Sequence, residues 1–227
     1  MRHSVLATCG LLALIDPVMA QTSPSDGPPA SSTESNSPEA SMAEPQTGDH
    51  WTYEVRDQIT GELKSTITST VTDVSAKEIG IRFAFLGKPN FGYQIFDRSW
   101  NFVENGDWRF SPNDGTGIQA PLAVGKTWSI KATDGNRAGG FSWKRTVTSK
   151  VTAKESVTTQ AGTFEAFKIE TSVQLLNVND PTKKVQVEQQ TWYAPTIDHW
   201  VKRTAISRSD GKVRENNSAE LVEFGRR

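Results

Sequence analysis

Cysteine is almost absent from this chain. Cys9 is the only one among 227 residues, and it lies in an N-terminal segment expected to be removed. Without another cysteine there can be no disulfide, thiolate zinc site, cysteine-ligated cluster or thiol nucleophile. Histidine is scarce too, with His3, His50 and His199 making up the full set. No charge of one sign dominates: 25 Lys and Arg face 26 Asp and Glu, for a formal net charge of −1. That balance argues against nucleic acid, whose binders carry a basic face, and against strong attraction to anionic lipid surfaces. There is no apolar run of the roughly 20 residues a membrane-spanning helix needs. The common catalytic signatures are missing as well: no Gly-x-Ser-x-Gly elbow, phosphate-binding loop, dinucleotide glycine fingerprint or His-Glu-x-x-His helix.

The N-terminus carries the three parts of a secretory signal. Arg2 and His3 are basic, Val5 to Ile15 is mostly apolar, and Val18-Met19-Ala20 offers small residues for cleavage after Ala20. Residues 1–20 are therefore expected to be a signal peptide, and the mature chain periplasmic or secreted. Lipid attachment at Cys9 is disfavoured, because Leu6-Ala7-Thr8 places Thr where such signals carry a smaller residue and leaves little apolar core upstream. Residues 21–47 are rich in Ser, Pro and Glu and hold no aromatic residue, Lys or Arg. Such a segment cannot bury enough apolar surface to offset its ordering entropy, so a disordered linker is expected. A single domain over 48–227 then begins abruptly at Gly48-Asp49-His50-Trp51. At about 180 residues it can bury roughly 70% of its unfolded surface and needs no staples.

Within this domain the apolar pattern has a period of two. Ile79, Ile81, Phe83 and Phe85 alternate with smaller or polar residues, and Phe91, Tyr93, Ile95 and then Val185, Val187 do the same. Turn signals such as Gly87-Lys88-Pro89-Asn90, Asn105-Gly106 and Asp210-Gly211 punctuate the runs. The expected fold is all-β: an antiparallel meander of about ten strands forming a curved sheet, a sandwich or a partly closed barrel. Two similar halves are a further expectation. Gly48-Asp49-His50-Trp51 resembles Gly125-Lys126-Thr127-Trp128, Thr68–Thr72 resembles Thr148–Thr152, and the aromatic-rich Ile81–Phe85 is set against Phe164–Ile169.

Few residues invite chemistry. His50 and His199 each adjoin an Asp and a Trp, so a general base or a two-histidine metal site is conceivable. Adjacent strand residues point to opposite faces, however, so Asp198 cannot orient His199 from the next position. Turn or strand-end histidines are the expectation. Ser111–Gly117 has a single carboxylate, Asp114, too few for a calcium loop, and reads as a flexible surface loop. No catalytic residue, metal or cofactor is assigned.

Tryptophan is the exception to this scarcity, with seven in the chain. Trp51 and Trp128, in the repeated Gly-x-x-Trp context, are expected in the core. Trp100, Trp108, Trp192 and Trp200 flank turns and are the candidates for lining a ligand site, since indole combines a large apolar area with a polar N–H.

Several phrases, in order, resemble a TapB-like family of exported bacterial β-proteins of unknown function. They are Gly48-Asp49-His50-Trp51-Thr52-Tyr53, Pro121–Trp128, Ala161–Glu170, Trp192-Tyr193-Ala194-Pro195 with Trp200–Arg203, and Glu220–Phe224. The resemblance implies an all-β envelope-associated fold and brings no catalytic residues. The expected function is a non-enzymatic binding module for an apolar or amphipathic small ligand. The alternative is a structural or protein-interaction component of the cell envelope, with a hydrolase less favoured.

Overall fold

The computed structural model describes Met42 and residues 44–226. Twelve strands follow one another: β1 (His50–Asp57), β2 (Leu63–Val74), β3 (Glu78–Phe85), β4 (Phe91–Asp97), β5 (Phe102–Asn105), β6 (Trp108–Ser111), β7 (Thr127–Asn136), β8 (Ser142–Thr159), β9 (Gly162–Asn177), β10 (Lys184–Ala194), β11 (His199–Ser209) and β12 (Lys212–Gly225). Each pairs antiparallel with the next, and β12 returns to pair with β1, so the sheet closes into an up-and-down barrel. Closure removes the free edges that an open sheet of this length would present. The reading of the sequence as an all-β meander holds. The strands number twelve, and the sheet is a closed barrel rather than an open curve or a sandwich.

The alternation that forms the strands also sorts their faces. On β8, Trp143, Arg145, Val147, Ser149 and Val151 are buried while Lys144, Thr146, Thr148 and Lys150 are exposed. Gln186 and Glu188 of β10 are likewise exposed beside buried Val185 and Val187. The charged face is outermost, the reverse of the apolar outer band of a membrane-spanning barrel. No helix among the described residues is long and apolar enough to cross a membrane.

The internal repeat falls on equivalent strands six apart. Gly48 and Gly125 take φ of 95° and 92°, where a side chain would be strained. Gly48 N–H donates to the Val71 carbonyl and Gly125 N–H to that of Val151, while Val71 and Val151 donate back to Asp49 and Lys126. Trp51 faces Ser69 as Trp128 faces Ser149. Bulges follow at the same place, between Val71 and Asp73 and between Val151 and Ala153. The third pair of phrases matches in strand but not in register: Val71 pairs next to Ile81, but Val151 pairs next to Ile169, the last residue of its phrase.

One end of the barrel is plugged. Trp51, Val71, Ile79, Ile81, Phe164, Ala194, Ile197, Val201 and Leu221 form a cluster there, and Met42 packs into it. Met42 N–H donates to the Thr196 carbonyl, and Gln46 N–H to Asp49. The segment read as linker, 21–47, therefore ends in residues that pack on the domain. Its remainder, and the segment 1–20 expected to be a signal peptide, lie outside the described residues. At the other end Trp143, Val147, Val173, Leu175, Val185 and Val187 fill the side under β8–β10. The side under β1–β5 is not filled.

Candidate functional site

That unfilled side is a pocket of about 270 Å³ inside the barrel. Its apolar wall comes from inward positions of successive strands: Val55 of β1, Ile67 of β2, Ile81 and Phe83 of β3, Phe96 of β4 and Phe102 of β5. Register puts them together, since Ile81 pairs with Gln94, and Ile79 with Phe96, which pairs with Phe102. Phe83 lies across β4 at Gly92, where an added Cβ would come within 2.4 Å of the ring. Glycine there is what lets the ring line the pocket.

An aromatic group closes the plugged end. The His199 ring stacks on Trp51 with centroids 4.3 Å apart, and Trp100 meets it edge-on at 4.6 Å. Tyr53 stacks on Trp200 at 3.7 Å. The Tyr53 hydroxyl donates to the Trp200 carbonyl at 2.9 Å and lies 2.7 Å from His199 Nδ1. A carbonyl can only accept, so the phenol proton goes to Trp200. His199 Nδ1–H then donates to the phenol oxygen, which fixes the tautomer. Burial, reinforced by the positive charge of Arg203, pushes the His199 pKa down to about 3, so the ring is neutral at neutral pH. Burial is also the main cause raising the Tyr53 phenol well above its ordinary value.

Asp198 holds this group from behind. It accepts the Tyr193 hydroxyl at 2.5 Å and the Trp100 indole N–H at 3.2 Å. Burial raises its pKa to about 6.

Charged side chains enter the same interior. Arg145 forks onto Asp134 with N–O distances of 2.9 and 2.6 Å, both groups almost fully buried. Asp114 accepts Phe102 N–H and the Thr116 hydroxyl, and burial pushes its carboxyl up. The Ser111–Gly117 segment is thus not a flexible surface loop. Asp114, Gly115 and Gly117 are buried, and a Cβ on Gly115 would touch Ile130 and Val147. The loop's carboxylate bonds its own backbone, which lets the segment fold inward without unmet polar groups.

Arg203 of β11 projects into the pocket. Its Nε donates to Thr191 Oγ1 at 3.2 Å, and its guanidinium sits 4.7 Å from the centre of the Trp200 ring. Among the described residues no carboxylate lies within ion-pair distance of it; Asp114 acts on it only from farther away. Desolvation lowers its pKa to about 10, so it remains a cation at neutral pH.

The four candidate tryptophans separate into two groups. Trp100 and Trp200 line the pocket. Trp108 packs against Phe141 beside the cluster of Trp143 and Leu175. Trp192 faces away from the pocket: its neighbour Thr191 points inward to Arg203, while the Trp192 N–H donates to Glu155 and Lys168 and Lys202 lie over its ring. The histidines are not brought together. His50 has Gly48 and Glu223 as partners near the barrel seam, whereas His199 is enclosed by Tyr53, Trp51, Trp100 and Trp200. Among the described residues no group of three His, Cys, Asp or Glu side chains could hold a metal.

Sequence reasoning passed over Arg203, Tyr53, Phe83 and Phe96. For Arg203 a signal existed. Lys202 and Arg203 are consecutive on a strand and must lie on opposite faces, so one cation has to enter the interior.

A family model described as DUF3108-like matches residues 127–211, from β7 to the end of β11. No curated protein sequence matches the chain. Among solved structures, a candidate lipoprotein from Parabacteroides distasonis is similar, with a TM-score of 0.54 at 14% identity, covering 82% of this chain and 100% of that one. A candidate exported protein with a YmcC-like fold from Bacteroides fragilis gives a TM-score of 0.51 at 16% identity, covering 80% and 97%. At such identities the likeness is one of fold. The resemblance to a TapB-like family is thus met at a coarser level: a DUF3108-like segment in an all-β barrel shared with exported and lipoprotein candidates.

Proposed function

We propose that the chain is a non-enzymatic binding module that takes an apolar or amphipathic small molecule into its barrel, in the periplasm or outside the cell. The pocket carries the reading. A barrel whose other half is filled by tightly packed Trp, Val and Leu leaves about 270 Å³ open beneath β1–β5. Its walls are Phe, Ile and Val with a few polar groups, the usual make-up of a small-molecule site. The volume lies near the lower limit for such sites, which suits a single slender molecule. The signal peptide read from the sequence supports export, as do the descriptions of the two structural relatives as exported or lipoprotein candidates.

The test is binding of a neutral apolar fluorophore, N-phenyl-1-naphthylamine, to the mature chain and to Ser69→Phe, which places a ring in the pocket wall. Saturable one-site binding that weakens at least tenfold in the variant, with its melting temperature retained, supports the reading. Absence of saturable binding, or binding unchanged by Ser69→Phe, overturns it in favour of an interaction role in the envelope.

A further inference from the structure

We propose that the pocket selects a monoanionic amphiphile, an unbranched alkyl carboxylate, with the acid group on Arg203 and the chain along Phe83, Ile67 and Val55. The assignment rests on the reading of the barrel as a binding module and adds the chemical class of its ligand.

Charge accounting inside the barrel points this way. Asp134 and Arg145 cancel one another through a forked ion pair. Lys202, next to Arg203, turns outward and pairs with Glu220. Among the described residues Arg203 has only the Thr191 hydroxyl as a hydrogen-bond acceptor, through Nε. Its terminal nitrogens keep their hydrogen-bonding capacity for whatever occupies the pocket. A half-buried, desolvated guanidinium without a close anion is costly, and a carboxylate offers two oxygens in the geometry of its fork. Trp200 supports the guanidinium from its ring face, which orients the cation without neutralising it.

The other polar groups of the pocket are uncharged. His199 is neutral and its Nδ1–H is engaged by Tyr53. The Gln94 amide donates to Asn105, and Ser69 and Thr116 add hydroxyls. Arg203 is the cation among the lining residues, and the remaining interior carboxylate, Asp114, lies beyond ion-pair distance of it, so one negative charge can pair with it directly. A phosphate monoester, carrying close to two charges at neutral pH, would lack a second cation and would face Asp114, which already acts on Arg203. The rest of the lining, Val55, Ile67, Phe83, Phe96 and Phe102, is apolar and fits a methylene chain.

The experiment is calorimetric titration of the mature chain with decanoate, decanol and decyl phosphate at neutral pH, repeated on Arg203→Met. Decanoate is expected to bind at least tenfold more tightly than decanol and decyl phosphate. In Arg203→Met the preference for decanoate over decanol should vanish while decanol binding persists. Equal affinity of the native chain for decanoate and decanol overturns the proposal and leaves the binding-module reading intact. Decyl phosphate binding as tightly as decanoate overturns the carboxylate assignment. If neither decanol nor decanoate binds while N-phenyl-1-naphthylamine does, the ligand assignment falls and the module reading stands; if none of the three binds, both fall. The native-chain comparison decides the matter even where Arg203→Met does not fold.

Discussion

Asp198 adopts φ 45° and ψ 35° at the turn before β11, a left-handed conformation that Asp and Asn tolerate better than other side chains. Its position makes the barrel's response to acid readable. Its folded pKa of about 6 lies above the ordinary 3.8. Between these values the folded state holds more protons than the unfolded one, so this group favours folding as pH falls through that window. His199 works in the opposite sense: its folded pKa of about 3 lies below 6.5, and acid disfavours folding between them. Asp198→Asn keeps the backbone conformation and removes the titration of this group, leaving that of His199; the loss of one acceptor oxygen adds a cost that does not vary with pH. The variant should lose stability more steeply than the native chain between pH 7 and pH 4, by about 1–2 kcal/mol, the roughly 3 kcal/mol of a pKa raised by about two at about 1.4 kcal/mol per unit being discounted for partial exposure. Urea unfolding at several pH values measures it, and a stability difference constant with pH contradicts it. Little of this was legible in the sequence. Strand alternation was the ground for separating Asp198 from His199, yet Asp198 lies in the turn ahead of the strand, and its actual partners, Tyr193 and Trp100, depend on how a distant turn docks. Trp192 and Trp200 flank one turn and looked alike. A bulge between Trp192 and Tyr193 breaks the symmetry, and no local pattern announces a bulge.

At the scale of elements, the alternation of β8, β9 and β10 was plain because those strands are long, 18, 16 and 11 residues. β5 and β6 have four residues each, too few for a period of two to stand out, and this is why about ten strands were legible rather than twelve. Closure was not legible either, since it depends on the first strand finding the last. The seam between β1 and β12 has its own clasp. Asp49 is fully buried and receives Arg226 through two nitrogens, each at 3.0 Å. Arg226 also donates to the Glu44 carbonyl at 2.7 Å. Among the described residues, Arg226→Ala leaves the buried Asp49 carboxylate with only the Gln46 N–H, at an expected cost of about 2–3 kcal/mol. Hydrogen exchange should accelerate first at Trp51–Val55 and Ala219–Phe224 while β8 and β9 keep their native protection. Uniform acceleration around the barrel, or none, would show that the clasp does not hold the seam.

For the whole molecule, two similar halves raise the question of whether each can stand alone. β1–β6 and β7–β12 share a local design in the Gly-x-x-Trp entry, the Val carbonyl that receives the glycine N–H, and the bulge that follows. Yet the barrel closes only through the β6–β7 and β12–β1 pairings, and each half alone would expose both edges and an uncovered apolar face. The halves also share the interior. Arg203 of the second half faces Phe83 and Phe96 of the first across the pocket, and Tyr53 of the first bonds His199 and Trp200 of the second. Unfolding should therefore be a single cooperative step. Gly125→Ala tests this cleanly, because the added methyl meets no atom within 4 Å and the only cost is backbone strain at φ 92°, about 1–2 kcal/mol. If the barrel is one unit, this change in the second half should move a single transition to lower urea without altering its slope. Tryptophan fluorescence and backbone dichroism should then report the same midpoint. Two resolved transitions, with only one displaced by Gly125→Ala, would mean that the halves are separate folding units and that the shared pocket does not couple them.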